Sequence, residues 1–217
     1  MKAIYQESNN RGIIFFVFNI IISLIIAYAV NEFFLTDNLI FHFYSEQSSF
    51  ETIEKMLEMR HEWSWLSYIF LIILYSLKIL IIGLCLHAGL FFCSMEKKIQ
   101  FRDLLTIVIK ADLVFLIPSI IKILYFSFFE YTFSDFQSFY PLSLLSVLDK
   151  STIEPWLIYP LQTLNLFEII FLFILTFLLK KNVEIDFWKS MKLVSLSYGT
   201  GLIVWLVFII FLNINNS

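Results

Sequence analysis

The chain has 217 residues, 59% of them apolar, with a mean hydropathy of +0.82 and a formal net charge of −3. Soluble domains run near ~45–50% apolar, so this composition excludes a water-soluble globule. No concentrated basic face occurs, which argues against nucleic acid as a partner. Phe occurs 26 times against 5 Gly, and lipid-facing helices explain that without an aromatic binding site.

A transmembrane helix needs ~20 predominantly apolar residues. That measure predicts an all-α polytopic integral membrane helix bundle, a single domain over 1–217, with five transmembrane helices. The spans fall at about 12–35, 65–95, 104–129, 160–179 and 193–212. The first carries no charge between Arg11 and Glu32. Its apolar core exceeds the ~7–15 residues of a signal peptide. An uncleaved span is therefore expected, although Ala27-Tyr28-Ala29 formally fits a cleavage site. Asn19, Ser23 and Ala27 make a small, polar stripe suited to close helix packing.

An outer loop, 36–64, follows. Ser48 and Glu51 fit a capping box, and Phe50, Ile53 and Leu57 then share one face. This predicts a short amphipathic helix lying on the bilayer or on the bundle. Glu51, Glu54, Glu58 and Glu62 read as a solvated face rather than a metal site. The second span is uncharged except at Lys78 and ends at Glu96. Cys85 and Cys93 lie eight residues apart on it, ~12 Å along a helix, too far for a mutual disulfide. The third span holds Lys110, Asp112 and Lys122 and is the least certain by hydropathy.

A second outer loop, 130–159, predicts another short helix starting at Pro141, through Leu142, Leu144, Leu145, Val147 and Leu148. Trp156 and Tyr159 suit the headgroup level. The fourth span starts near Pro160, holds Glu168 and ends at Lys180-Lys181. On the fifth, Ser195 with Gly199 and Ser197 with Gly201 repeat a small-xxx-small spacing, again suited to helix packing.

Nine basic residues fall on one side of these spans: Lys2, Arg11, Lys97, Lys98, Arg102, Lys180, Lys181, Lys189 and Lys192. Lys55, Arg60 and Lys150 fall on the other. Basic residues favour the cytoplasm, so the N-terminus is expected inside and the C-terminus outside.

A charge in hydrocarbon costs ~3 kcal/mol and normally faces a partner or cavity. Matching depths predict an inner polar pair, His87 with Asp112. They also predict an outer cluster of Lys78, Lys122, Asn165 and Glu168, in which Lys122 and Glu168 neutralise each other. Lys110 is expected to snorkel to the inner headgroups. The outer cluster admits three readings: a structural ion pair fixing helix order, a path for an ion, proton or small solute, or headgroup contact. There is no phosphate loop, no metalloprotease His pair and no nucleophile elbow. No catalytic residue, metal or cofactor is expected.

From the second span onward the chain resembles the Yip family, small five-span membrane proteins named for interaction with Rab-type GTPases. The resemblance rests on His87-Ala88-Gly89, Phe101-Arg102-Asp103-Leu104-Leu105 and Leu116-Ile117-Pro118. It continues in Leu161-Gln162-Thr163-Leu164-Asn165-Leu166-Phe167-Glu168 and Phe187-Trp188-Lys189-Ser190. For the bacterial branch it implies a five-span fold with no settled activity. The long outer loop 36–64 and the eleven residues before the first span depart from eukaryotic members. The expected role is a non-enzymatic scaffold or accessory subunit in a bacterial inner membrane. Its partners would be the lipid bilayer and other membrane proteins or a second copy. The alternative is a transporter or permease component using the interior charges.

Overall fold

Long uninterrupted apolar runs leave the backbone only one way to satisfy its polar groups in lipid, the helix. The computed structural model describes residues 2–95, 98–149 and 153–216, and among these no strand occurs. Glu96, Lys97 and Lys150, invoked above, lie outside the described residues, as do the side chains of Lys2 and Arg11. Among the described residues, four helices are long and apolar enough to cross a membrane: 12–34, 50–92, 101–128 and 187–215. The segment expected as the fourth span is also helical, but it is interrupted and carries Glu168, Lys180 and Lys181.

The helix α1 (Lys2–Ala29) runs on through a π-helical turn at Val30–Phe34. The short α2 (Asp37–Tyr44) follows, capped by Thr36. Then α3 (Phe50–Phe92) extends for 43 residues, ~65 Å at 1.5 Å per residue. The helix expected inside the 36–64 loop is therefore the first third of α3, not a separate surface helix. No Gly or Pro lies between Phe50 and Trp65 to stop propagation. The cap is also one residue later than expected: Ser49 Oγ accepts from Thr52 N. Arg60 ties this extension down. It donates to Asp37 Oδ1 at 3.1 Å and to Asn31 Oδ1 at 2.7 Å.

The third span is broken. The helix α4 (Phe101–Asp112) ends in a 3-10 turn at Leu113–Phe115, and α5 (Leu116–Phe128) resumes. Pro118 has no N–H to return to the preceding turn, which accounts for the break. Leu104, Ile107, Val108, Ile109 and Ala111 are all buried, so α4 is the centre of the bundle, packed by α1, α3 and α8. This segment is marginal in hydropathy because neighbouring helices, rather than lipid, surround it.

In the second outer loop the helix expected from Pro141 is reduced to a 3-10 turn at Leu144–Ser146. Instead α6 (Phe133–Ser138) forms upstream, started by a Thr132–Asp135 capping box. Leu142 takes a left-handed conformation (φ 56°), which ends any helix there. The residues after it pair with another break: Leu144 N donates to Leu164 O, and Leu166 N to Leu142 O, both at 3.0 Å. That second break separates α7 (Pro155–Thr163) from α8 (Leu166–Val183). The chain ends with α9 (Phe187–Val194), a π-helical turn at Ser195–Gly199, and α10 (Thr200–Asn216).

The packing stripes are met in part. Asn19 is buried and donates to Ile109 O at 3.1 Å, joining α1 to α4. Ser23, Ala27 and Ser195 are half-buried. Ser197 seats against Gly89, where an added Cβ would stand 2.7 Å from Ser197 Cβ. Gly201 faces Cys85, with 3.0 Å from such a Cβ to Sγ. Gly199 departs from expectation: nothing lies within 4 Å of where its Cβ would be. The π turn explains this, because its extra residue rotates the following face off the stripe.

A candidate ligand cavity at mid-membrane depth

Three helix discontinuities neighbour the ionisable groups of the bundle. Counting from the end where α3 turns to α4 and α8 to α9, Lys78 lies ~21 Å up α3 and Asp112 ~16 Å up α4. By the same count Glu168 is ~22 Å up α8, and Tyr198 ~16 Å up from the start of α9. The 3-10 turn follows Asp112, the α7–α8 break precedes Glu168, and the π turn contains Tyr198. Against a ~30 Å hydrocarbon core, Asp112 and Tyr198 fall near its middle, Lys78 and Glu168 in the half farther from that end, and the α7–α8 break near the far end.

Lys78 Nζ lies 2.6 Å from Asp112 Oδ1, a close ion pair whose alignment is not that of a regular hydrogen bond. The ammonium also stands 4.0 Å from the centroid of the Phe115 ring. The Lys78 side chain is 42% exposed and that of Asp112 only 5%. Glu168 accepts a hydrogen bond from the Tyr198 hydroxyl. Its backbone N–H is capped by Asn165 Oδ1 at 2.9 Å, while Asn165 Nδ2 donates to Gln162 O and Thr163 O. Asn165 thus closes the end of α7 and opens α8. Lys78 and Asp112 both act electrostatically on Glu168.

Lys78, Phe115, Asn165, Glu168 and Tyr198 line a cavity of about 620 Å³ bounded by α3, α5, α7, α8 and α10, with Asp112 outside its lining. Its walls include Leu74, Leu77 and Ile81 on one side and Tyr140, Tyr159 and Trp205 on the other. Trp205 Nε1 donates to Tyr159 Oη at 2.9 Å, fixing α10 to α7. Burial pushes the Tyr140 phenol up to about 12, with the Glu168 and Asp112 charges adding to it. Tyr140 therefore stays a neutral hydroxyl. No group of three or more His, Cys, Asp or Glu that could hold a metal ion occurs among the described residues.

Of the expected outer cluster, Lys78, Asn165 and Glu168 come together, and Lys122 does not. It lies ten residues beyond Asp112, ~15 Å farther along the span. Its Nζ sits 4.2 Å from the centroid of the Phe136 ring, so the expected Lys122–Glu168 pair is replaced by a cation–π contact and a tyrosine hydrogen bond. The expected His87–Asp112 pair is also absent. Nine residues separate Lys78 from His87, half a turn at ~100° per residue, so they flank opposite edges of the buried face of α3. His87 packs edge-on against Phe101, with centroids 5.5 Å apart. Lys110 stands over the Phe15 ring at 5.3 Å rather than alone at a headgroup. Depth matching failed because a lysine stem spans the ~5 Å between the levels of Lys78 and Asp112. Sequence reasoning also missed Tyr198, Tyr140 and Phe115. A signal was present for Tyr198: tyrosine favours the membrane interface, and this one lies mid-span.

Compared with family models, with curated proteins and with solved structures, the chain matches none.

Proposed function

We propose that this chain is a non-enzymatic integral membrane protein of five spans that holds a small organic ligand in its mid-membrane cavity, as a binding or transport component. One observation carries the reading. Lys78, paired with Asp112, and Glu168 line an open cavity of about 620 Å³, a size typical of sites for small ligands. A purely structural ion pair needs no cavity beside it, and broken helices at membrane depth occur where they line one. The α7–α8 segment, fourth in chain order, completes the five: Phe171, Leu175 and Leu179 are fully buried in the bundle, and α8 alone is ~27 Å long. The nine-to-three distribution of basic residues supports a cytoplasmic N-terminus in a bacterial inner membrane.

A single-cysteine scan tests the cavity. With Cys85→Ser and Cys93→Ser as background, Ile81→Cys lies on the cavity wall, and Leu84→Cys, ~60° round α3, is exposed but outside the cavity lining. A small water-soluble methanethiosulfonate should label Ile81→Cys at least tenfold faster than Leu84→Cys. Equal, negligible labelling of both would overturn the reading.

A second reading, a Yip-like scaffold, draws on the extension of α3. A 43-residue helix leaves about 20 residues beyond a ~30 Å core. That extension exposes Glu51, Glu54, Glu58 and Glu62 beside Met56, Met59 and Trp63. The partner would be another membrane protein or a second copy. Loss of a co-purifying protein on replacing the four glutamates with glutamine would favour it.

A further inference from the structure

The charges of the cavity do not cancel. Lys78 is committed to Asp112 at 2.6 Å and to the Phe115 ring. Glu168 faces the same space with only a neutral donor, Tyr198, bonded to its carboxylate. The other titratable groups on the cavity wall are Lys78 and Cys85 from α3, Tyr140 from the outer loop and Tyr159 from α7, with Asp112 of α4 paired to Lys78. The Lys78–Asp112 pair is neutral as a unit, which leaves the Glu168 carboxyl on the cavity wall with no cation bonded to it among the described residues. An unpaired carboxylate in a low-dielectric site is costly, so the cavity is complementary to one added positive charge. The walls say what carries that charge. A bare metal ion needs several oxygen ligands at 2.0–2.6 Å, whereas this space is large and mostly apolar. Tyr140, Tyr159 and Trp205 line it, and aromatic rings attract cations directly.

We infer that the cavity binds a lipophilic organic cation, its charge set against Glu168 and its apolar body against Leu74, Leu77 and Ile81. This rests on the ligand-cavity reading above and names the ligand class. The entry side is the α3–α10 face, where Leu77, Ile81 and Trp205 are exposed and line the cavity. A cation dissolved in the bilayer can reach it laterally.

The test compares two ions of like size and shape and opposite charge, tetraphenylphosphonium and tetraphenylborate. Each is added to the Ile81→Cys protein in lipid nanodiscs before methanethiosulfonate labelling. Tetraphenylphosphonium should slow labelling, and tetraphenylborate at equal membrane-bound concentration should not. Glu168→Gln in the same background should raise the half-protecting concentration about tenfold or more, the loss expected of a charge-assisted contact. Glu168→Asp should retain protection. If Glu168→Gln does not fold, judged by size-exclusion elution, Ser119→Lys on the cavity wall adds a positive charge and should also abolish protection. Equal protection by both ions, or protection by neither while Ile81→Cys still labels, overturns the cation inference. Absence of labelling at Ile81→Cys would instead overturn the cavity itself.

Discussion

Removing one half of the Lys78–Asp112 pair should be far worse than removing both, and the two halves should differ. At 2.6 Å and an effective dielectric of ~20, the gross attraction is roughly 6 kcal/mol. Desolvation offsets much of it. What a single substitution reveals is the cost of the charge left behind, ~3–5 kcal/mol for a buried pair. Lys78→Met strands Asp112, whose side chain is 5% exposed, so a loss of about 3 kcal/mol or more is expected. Asp112→Asn strands an ammonium that is 42% exposed to the cavity and keeps its Phe115 ring contact. That loss should be only about 1 kcal/mol. The double variant buries neither charge and should fall within ~1 kcal/mol of wild type, a coupling of ~2 kcal/mol or more. Unfolding by SDS titration in mixed micelles, followed by far-UV circular dichroism, measures all four proteins. Additive losses, or a Lys78→Met loss below ~0.5 kcal/mol, would refute the buried-pair account.

Gly89→Ala should destabilise by ~1–3 kcal/mol, because its Cβ would meet the Ser197 Cβ at 2.7 Å. Gly199→Ala, in open space, should instead gain up to ~1 kcal/mol of helix propensity; the same SDS titration reads both. Leu142→Gly should be tolerated and Leu142→Val should not, since φ at this position is 56° and β-branched residues resist positive φ; thermal unfolding midpoints decide. Tyr140, held up to about 12, ionises in the unfolded chain first, near pH ~10. Its contribution is therefore intact below pH ~10 and lost as pH rises toward 12. Tyr140→Phe should flatten that decline when midpoints are compared at pH 9 and 11.5.

Helix content and membrane character were legible because hydropathy and length report directly on lipid contact. The breaks were not. Pro118 marks the one in the third span, but its consequence, a turn just after Asp112, depends on what packs around α4. The α7–α8 break falls at Leu164 and Asn165, with no Gly or Pro at either position. Its cause is tertiary, the pairing with 142–144. For the site, sign and rough depth were enough to gather Lys78, Asn165 and Glu168 but not to choose partners. Depth along a helix fixes a Cα; a lysine headgroup ranges ~6 Å from it. Rotation about the helix is the stronger filter, and it separates His87 from the Lys78–Asp112 pair.

The outer loop also takes on a role that its position does not suggest. A helix that stops at membrane depth frees backbone N–H and C=O groups that lipid cannot satisfy. At the α7–α8 break, Leu164 O and Leu166 N are met by Leu144 N and Leu142 O. Asn165 meets the N-terminus of α8 through Glu168 N. Ser143 is buried and returns its hydroxyl to Tyr140 O at 2.8 Å. This places Tyr140 against the cavity and lets Leu145 bury completely. The loop thus supplies the hydrogen bonds that allow the fourth segment to break beside Glu168. A segment that must sit at that depth and leave no stranded charge has to be apolar and aromatic, which is why 139–148 carries no ionisable group except Tyr140 before its end.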